Sequence, residues 1–107
     1  MPTAARAAKN ENLFREVNQR IVELEETFGR RADEPTEFVC ECSFVECVER
    51  VPLTLNEYEG VRAEPTHFVV VPGHVDEAHE RVVHDRGHYV VVEKLGLAGA
   101  LAEEDAD

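Results

Sequence analysis

The sequence predicts an α+β fold: a small, mostly antiparallel sheet with a long N-terminal helix and a short second helix. Three patterns predict this class. An apolar stripe of helical period opens the chain, a helix-capping motif lies near its middle, and β-branched runs separated by glycine turns follow. The 107 residues fit one domain with a thin core. We expect this domain over residues 10–95, between flexible tails of residues 1–9 and 96–107.

The first predicted element is a helix in the stretch NENLFREVNQRIVELEETFG. Its apolar residues recur at steps of three and four, which places them on one stripe: Phe14, Val17, Ile21, Leu24 and Phe28. The side that faces solvent then carries Arg15, Glu16, Gln19, Arg20, Glu23 and Glu26. We expect the stripe to pack against the chain's own sheet. A short coiled-coil seam, and with it a homodimer through this helix, is the alternative.

A strand is predicted in the stretch FVCEC, which follows a turn-rich connector and has the two-residue period of a strand. Cys40 and Cys42 would share the face of Phe38. Glu41 would lie on the opposite face together with Val39. The two cysteines are therefore expected to point in the same direction.

A short helix is predicted over Leu55–Ala63. Thr54 is followed three residues later by Glu57, which is the spacing of a capping box, and Pro65 stops the helix. Its inward side carries Leu55, Tyr58 and Val61. The stretch THFVVVPGH is typical of a strand closed by a Pro-Gly turn, and ERVVHDRGHYVVVEK is typical of a hairpin with Gly87 at its turn.

The charge and the apolar pattern restrict the partners. A net charge of −12 without a basic stripe argues against nucleic acid, because such a chain repels phosphate backbones. No run approaches the roughly 18 apolar residues of a membrane span, so no membrane partner is expected. The N-terminus lacks the apolar core of a secretion signal, so we expect the cytoplasm. Thiols stay reduced there, which favours free thiols, metal ligands or redox chemistry over disulfides.

All three cysteines fall within FVCECSFVEC, in the pattern C-x-C-x4-C. A strand projects Cys40 and Cys42 to one side, and a turn of four residues can return Cys47 to the same point. Zinc favours thiolate and imidazole ligands in closed four-coordinate sites, so one histidine would complete the set. We expect His74, which follows a Pro-Gly turn, to be the fourth ligand, with His67 as the second choice. Inert thiols buried in the core are the alternative.

The stretch HVDEAHERVVHDRGH is rich in imidazole and carboxylate groups. It has no helix-borne H-E-x-x-H pair, which favours a solvated linker and hairpin over a catalytic metal site. His84 and His88 flank the hairpin turn and are candidates for a separate site, whereas His79 is expected in solvent. A metal-dependent hydrolase built on residues 74–88 would use the histidines with Asp76, Glu77 and Asp85.

Two resemblances extend this interpretation. The cysteine pattern resembles the post-SET zinc motif of lysine methyltransferases, which has the same spacing and takes its fourth ligand from elsewhere. It covers residues 38–47 and implies only the ligand geometry of Cys40, Cys42 and Cys47, since no SET signature accompanies it. The chain as a whole looks like a group of small uncharacterised bacterial proteins, through NENLFREVNQRI, FVCECSFVEC, LTLNEYEGVR, FVVVPGH and YVVVEK. This second resemblance implies a single self-contained domain.

Together these patterns favour a small zinc-stabilised protein with a Cys3His structural site. Three thiolates and an imidazole would close the metal to substrate, so we expect an interaction or regulatory module without catalysis, acting on a protein partner. A metal-dependent hydrolase or a thiol enzyme is the alternative function.

Overall fold

The computed structural model describes residues 4–29, 31, 33–44, 46–96 and 100. Its strands form two antiparallel sheets, a two-stranded one of β1 (Pro35–Val39) and β2 (Arg50–Thr54) and a three-stranded one in the order β3 (His67–Val70), β5 (Val90–Lys94) and β4 (Glu80–Asp85). The α+β class is therefore confirmed, with the strands divided between two small sheets. In chain order the elements of the described part are α1 (Ala4–Thr27), β1 (Pro35–Val39), β2 (Arg50–Thr54), α2 (Leu55–Arg62), β3 (His67–Val70), β4 (Glu80–Asp85) and β5 (Val90–Lys94).

Helix α2 forms as its capping box predicts. The Thr54 hydroxyl accepts a hydrogen bond from the Glu57 backbone N–H at 3.0 Å, and the Thr54 N–H donates to the Glu57 carboxylate at 2.9 Å. The helix ends at Arg62, with Ala63 as its C-cap. Its buried residues are Leu55, Tyr58 and Val61, so the predicted inward side is confirmed.

The C-terminal hairpin is also confirmed. Strands β4 and β5 pair in antiparallel register, and Gly87 between them has a φ of 85°, which a residue without Cβ adopts without strain. Strand β3 pairs with the other edge of β5. The valines of β3 and β5 supply much of the core, together with Phe38, Val51, Leu53, Phe68 and the inward side of α2.

The segment around the first two cysteines differs from the prediction. Strand β1 ends at Val39, so Cys40 and Cys42 lie beyond it, although both are buried. Glu41, which strict alternation would turn away from the core, is fully buried as well. Strand β2 was not predicted, because Pro52 interrupts its pattern and proline is tolerated only on a sheet edge, which a two-stranded sheet provides.

Helix α1 turns a polar face to the core, which corrects the predicted stripe. Glu11, Arg15 and Asn18 are at most 1% exposed, although Arg15 was expected in solvent. Phe14 and Ile21 are half-buried. The buried face is rotated by about 100°, the angular step of one residue, from the predicted stripe. Three apolar residues of that stripe remain exposed, namely Val17, Leu24 and Phe28.

Polar partners on the body of the domain explain why α1 buries this face. The Arg15 guanidinium lies 4.7 Å from the centre of the Phe68 ring. The Lys94 ammonium, which is also buried, pairs with the carboxylates of Glu11 and Glu80. Burial lowers the pKa of Lys94 and raises that of Glu80 to about 7. These groups tie α1 to β4 and β5.

The described residues include parts of both predicted tails. Helix α1 begins at Ala4, so it includes residues 4–9, which the sequence assigned to a tail. Most of the other predicted tail, residues 96–107, lies outside the described residues. The division into one domain and two tails stays a prediction. None of the described helices is long and apolar enough to cross a membrane.

Replacing Arg15 with alanine tests the buried polar face. Arg15 donates a hydrogen bond to the Pro65 carbonyl at 2.6 Å, and its loss together with the contact to Phe68 should lower the free energy of unfolding by about 2–3 kcal/mol. The matched control is Arg20→Ala, because the Arg20 side chain is 75% exposed and pairs with Glu23 on the surface. We expect that variant to lose less than about 0.5 kcal/mol in urea denaturation. Equal losses in the two variants would contradict the orientation of α1.

Candidate metal centre

The three cysteines lie in the connection between β1 and β2. The Cys40 N–H donates to the Glu49 carbonyl at 3.1 Å, which extends the pairing of the two strands by one step. The next N–H, that of Glu41, donates to the Val69 carbonyl at 2.8 Å and so joins the connection to β3. A turn closed by the Cys47 N–H and the Phe44 carbonyl, 2.9 Å apart, then brings the third cysteine back.

His74 reaches the same place from the end of β3. After Val71 the chain turns at Pro72 and Gly73, and Gly73 has a φ of 92°, a conformation that favours glycine. The His74 N–H donates to the Val71 carbonyl at 3.0 Å, which closes this turn. The turn aims the imidazole back at the cysteine connection.

The structure brings together the four residues selected from the sequence: Cys40, Cys42, Cys47 and His74. Their ligand atoms all lie within 4.8 Å of one another. His74 Nδ1 is 3.7 Å from Cys40 Sγ and 3.4 Å from Cys47 Sγ. In a tetrahedral zinc site with bonds of about 2.3 Å to sulfur and about 2.1 Å to nitrogen, a sulfur ligand and a nitrogen ligand lie about 3.6 Å apart. The two distances from His74 Nδ1 to the sulfurs are therefore close to the distance between two ligands in such a site.

Backbone groups around the sulfurs favour their charged form. The Val71 N–H donates to Cys40 Sγ at 3.1 Å. Such a bond stabilises a thiolate and orients it, as outer-shell hydrogen bonds do for the ligands of metal sites. The edge of the Phe44 ring packs against the His74 ring, with centroids 6.2 Å apart and an interplanar angle of 85°. This contact limits rotation of the imidazole.

When no cation is bound, ionisation of one of the three thiols disfavours ionisation of the other two. A hydrogen bond from Cys40 lowers the pKa of Cys42 to about 5. The same hydrogen bond and burial raise the pKa of Cys40, and burial raises that of Cys47. One thiolate is thus favoured at neutral pH, while its neighbours hold their protons. A divalent cation would remove this conflict, because it stabilises all three thiolates at once.

Glu41 lies between the first two cysteines and was missed by the sequence analysis as a functional residue. Its carboxylate is fully buried and accepts three hydrogen bonds: from Asn18 Nδ2 at 2.8 Å, from the Tyr58 hydroxyl at 2.5 Å and from the Val69 N–H at 2.9 Å. The donors belong to α1, α2 and β3. Burial and the Glu41 charge both raise the pKa of Tyr58. Glu41 therefore fixes the backbone that carries two of the three sulfurs.

The other histidines lie elsewhere. His67, the second choice for a fourth ligand, pairs through Nε2 with Glu93 at 3.5 Å and is not part of the cysteine cluster. His79 was expected in solvent, but its side chain is only 26% exposed and its Nδ1 lies 2.8 Å from the Asp76 carboxylate. That carboxylate also accepts a hydrogen bond from the Ser43 hydroxyl at 3.3 Å, which holds the cysteine connection from outside.

The imidazole and carboxylate groups of residues 74–88 are dispersed in the structure. His74 turns to the cysteines, Glu80 is buried against Lys94, and His84 and His88 are exposed on the hairpin. Within the described residues, Cys40, Cys42, Cys47 and His74 form the one group of three or more candidate ligands that converges on a point. The fold and this group define an α+β domain with a Cys3His cluster that could hold a metal ion.

Comparison with known protein families, with curated proteins and with solved structures finds no match to this chain. The resemblances to the post-SET zinc motif and to small bacterial proteins therefore stay predictions.

Replacing Glu41 with glutamine tests its part in positioning the sulfurs. Oε2 accepts from both Asn18 and Tyr58, and Oε1 accepts from the Val69 N–H. An amide nitrogen cannot accept at either position, so we expect the free energy of unfolding to fall by about 2–3 kcal/mol in urea denaturation. Glu37→Gln is the matched control, because Glu37 is exposed on β1. A Glu41→Gln variant as stable as this control would show that the buried carboxylate is dispensable.

Proposed function

We propose that this chain is a zinc-binding protein in which Cys40, Cys42, Cys47 and His74 form a closed structural site. The observation that carries the proposal is the convergence of three sulfurs and one imidazole nitrogen within 4.8 Å. Hydrophobic burial alone does not explain it, because His74 is only partly buried and burial of apolar area does not require its ring nitrogen to face two sulfurs.

The donor set selects the metal. Thiolate sulfur and imidazole nitrogen in tetrahedral arrangement favour zinc over magnesium or calcium, which take oxygen ligands. Cys40 and Cys42 are buried, whereas Cys47 and His74 are partly exposed. We infer that the metal enters from the side of the latter two. Four protein ligands leave no position for a substrate, so the site is structural rather than catalytic.

The metal would add a bond between two parts of the fold that also meet through hydrogen bonds of Glu41 with Val69. It links the end of the β1–β2 sheet to the end of β3 in the second sheet. A domain of this size has a thin core, and metal binding contributes folding free energy that such a core lacks. The expected reducing environment is the cytoplasm, where the thiols stay available to zinc.

The function of the whole domain, on this proposal, is that of an interaction or regulatory module with a protein partner. A second copy of the chain is the partner that helix α1 suits. Leu13 and Leu24 are half-exposed on α1, and an antiparallel pairing centred between residues 18 and 19 sets Leu13 of one copy opposite Leu24 of the other. The same pairing brings Arg20 next to Glu16 of the second copy, so both apolar and charged groups are complementary.

A thiol enzyme is the second candidate, and one observation favours it. Cys47 is partly exposed, and its sulfur lies 3.4 Å from His74 Nδ1, the arrangement of a thiol nucleophile and its base. However, burial raises the pKa of Cys47, whereas a nucleophilic cysteine needs a lowered one. The metal content of the protein separates the two candidates.

Zinc content tests the proposed function. The chain purified without a histidine tag should carry about one zinc per chain by elemental analysis, since a closed site needs all four ligands. Cys42→Ser should lose the metal and the cooperative unfolding transition together. His74→Ala should weaken zinc binding by more than about 100-fold in a competition titration with a chromophoric chelator.

The matched control is His84→Ala, which removes an exposed imidazole outside the cluster and should keep the full zinc content. A chain that folds cooperatively without any metal would overturn the proposal. Rapid alkylation of Cys47 by iodoacetamide in such a metal-free chain would favour the thiol enzyme instead.

Light scattering coupled to size-exclusion chromatography tests the homodimer. We expect a mass twice that of the chain at micromolar concentration, because the half-exposed leucines of α1 would be covered. Leu24→Glu should give a monomer, whereas Gln19→Glu, an exposed change away from the apolar face, should remain a dimer. A monomeric wild-type chain, or a dimeric Leu24→Glu variant, would contradict pairing through α1.

A further inference from the structure

A second site lies on the face of the three-stranded sheet beside α2. There a pocket of about 600 Å³ opens between the helix and strands β3, β5 and β4. Its volume is within the range of small-molecule sites. The residues of its lining that matter here are Val61, His67, His84, Arg86, Tyr89 and Val91. None of them belongs to the cysteine cluster.

A β-bulge gives this face its composition. His67 pairs with Glu93 and His84 pairs with Val91, and cross-strand partners point to the same side of a sheet. Regular pairing from Val82 onward would put Val83 opposite Val91. The register shift between Val82 and His84 puts the imidazole there instead. Bulges are over-represented next to functional sites because they re-aim a side chain in this way.

Two carboxylates at this face, those of Glu93 and Glu57, are already engaged. Glu93 lies 3.5 Å from His67 Nε2 and 3.0 Å from the Arg81 guanidinium. Glu57 accepts hydrogen bonds from the Thr54 N–H and, at 3.2 Å, from the Tyr89 hydroxyl. Both carboxylates therefore already interact with groups of the protein itself.

Positive and apolar groups remain for a ligand. Arg86 is exposed and lines the pocket together with Tyr89, and His84, which also lines it, is exposed as well. Val61 and Val91 form an apolar floor. Glu64 also lines the pocket and is exposed, where solvent screens its charge.

We propose that this pocket binds a small organic anion. Its phosphate or carboxylate group contacts Arg86 and His84, and its apolar part covers Val61 and Val91. A guanidinium binds either anion through two parallel hydrogen bonds, which gives both affinity and orientation. In a chain with a net charge of −12, such a site selects an anion by local geometry rather than by long-range attraction.

Titration followed by amide chemical shifts tests this site, with the full chain as purified. Phenyl phosphate and benzoate serve as anions with an apolar ring, inorganic phosphate as an anion without one, and benzyl alcohol as a ring without charge. We expect at least one of the two ring-bearing anions to give saturable shifts at Gly60, Tyr89 and Val91. The other two compounds should bind at least about tenfold more weakly, because each lacks half of the contacts.

Arg86→Gln should weaken binding of the ring-bearing anion by about tenfold or more. Arg50→Gln is the matched control, since Arg50 is exposed on β2 and does not line the pocket. This variant should bind the ring-bearing anion with unchanged affinity. Unchanged affinity in Arg86→Gln overturns the proposal. Inorganic phosphate or benzyl alcohol binding as tightly as the ring-bearing anions, or no saturable shift with any of the four compounds, also overturns it. These outcomes are independent of the zinc content.

Discussion

A buried carboxylate between two cysteines is the constraint on which the rest of this structure depends. Glu41 accepts hydrogen bonds from α1, α2 and β3, so three elements distant in sequence are oriented by one side chain. A buried carboxylate without such donors would cost several kcal/mol, which makes the three contacts mutually necessary. Because Cys40 and Cys42 flank Glu41, the arrangement that satisfies the carboxylate also fixes two sulfurs of the candidate metal centre.

Other buried polar groups also hold α1 against the rest of the domain. Asn18 donates to both Glu41 and the Val39 carbonyl and accepts from the Val39 N–H, so α1 is docked by hydrogen bonds where many helices are docked by apolar contacts. About two turns nearer the N-terminus of α1, the Lys94 ammonium pairs in the same way with the carboxylates of Glu11 and Glu80. Networks of this kind add little net stability but penalise every alternative packing, which suits a small domain with a thin apolar core.

Several features that depend on a few neighbouring residues were predicted correctly from the sequence, whereas several that depend on distant partners were not. The capping box at Thr54 and the glycine turn at Gly87 each depend on a few neighbouring residues, so their outcomes follow from short-range geometry. The turn before His74 is of the same kind, and the histidine it presents is the one that meets the sulfurs. The buried face of α1 and the burial of Glu41 depend on partners far along the chain. Neither helical period nor strand alternation carries that information.

We propose that three sulfurs and one imidazole bind a single zinc ion. X-ray absorption at the zinc edge, on the chain purified without a tag, tests it most directly. We expect a first shell of about three sulfur atoms at about 2.3 Å and about one nitrogen at about 2.0–2.1 Å, with the outer-shell scattering of an imidazole ring. A first shell dominated by oxygen and nitrogen would contradict it, because the metal would then lie outside the cluster of Cys40, Cys42, Cys47 and His74.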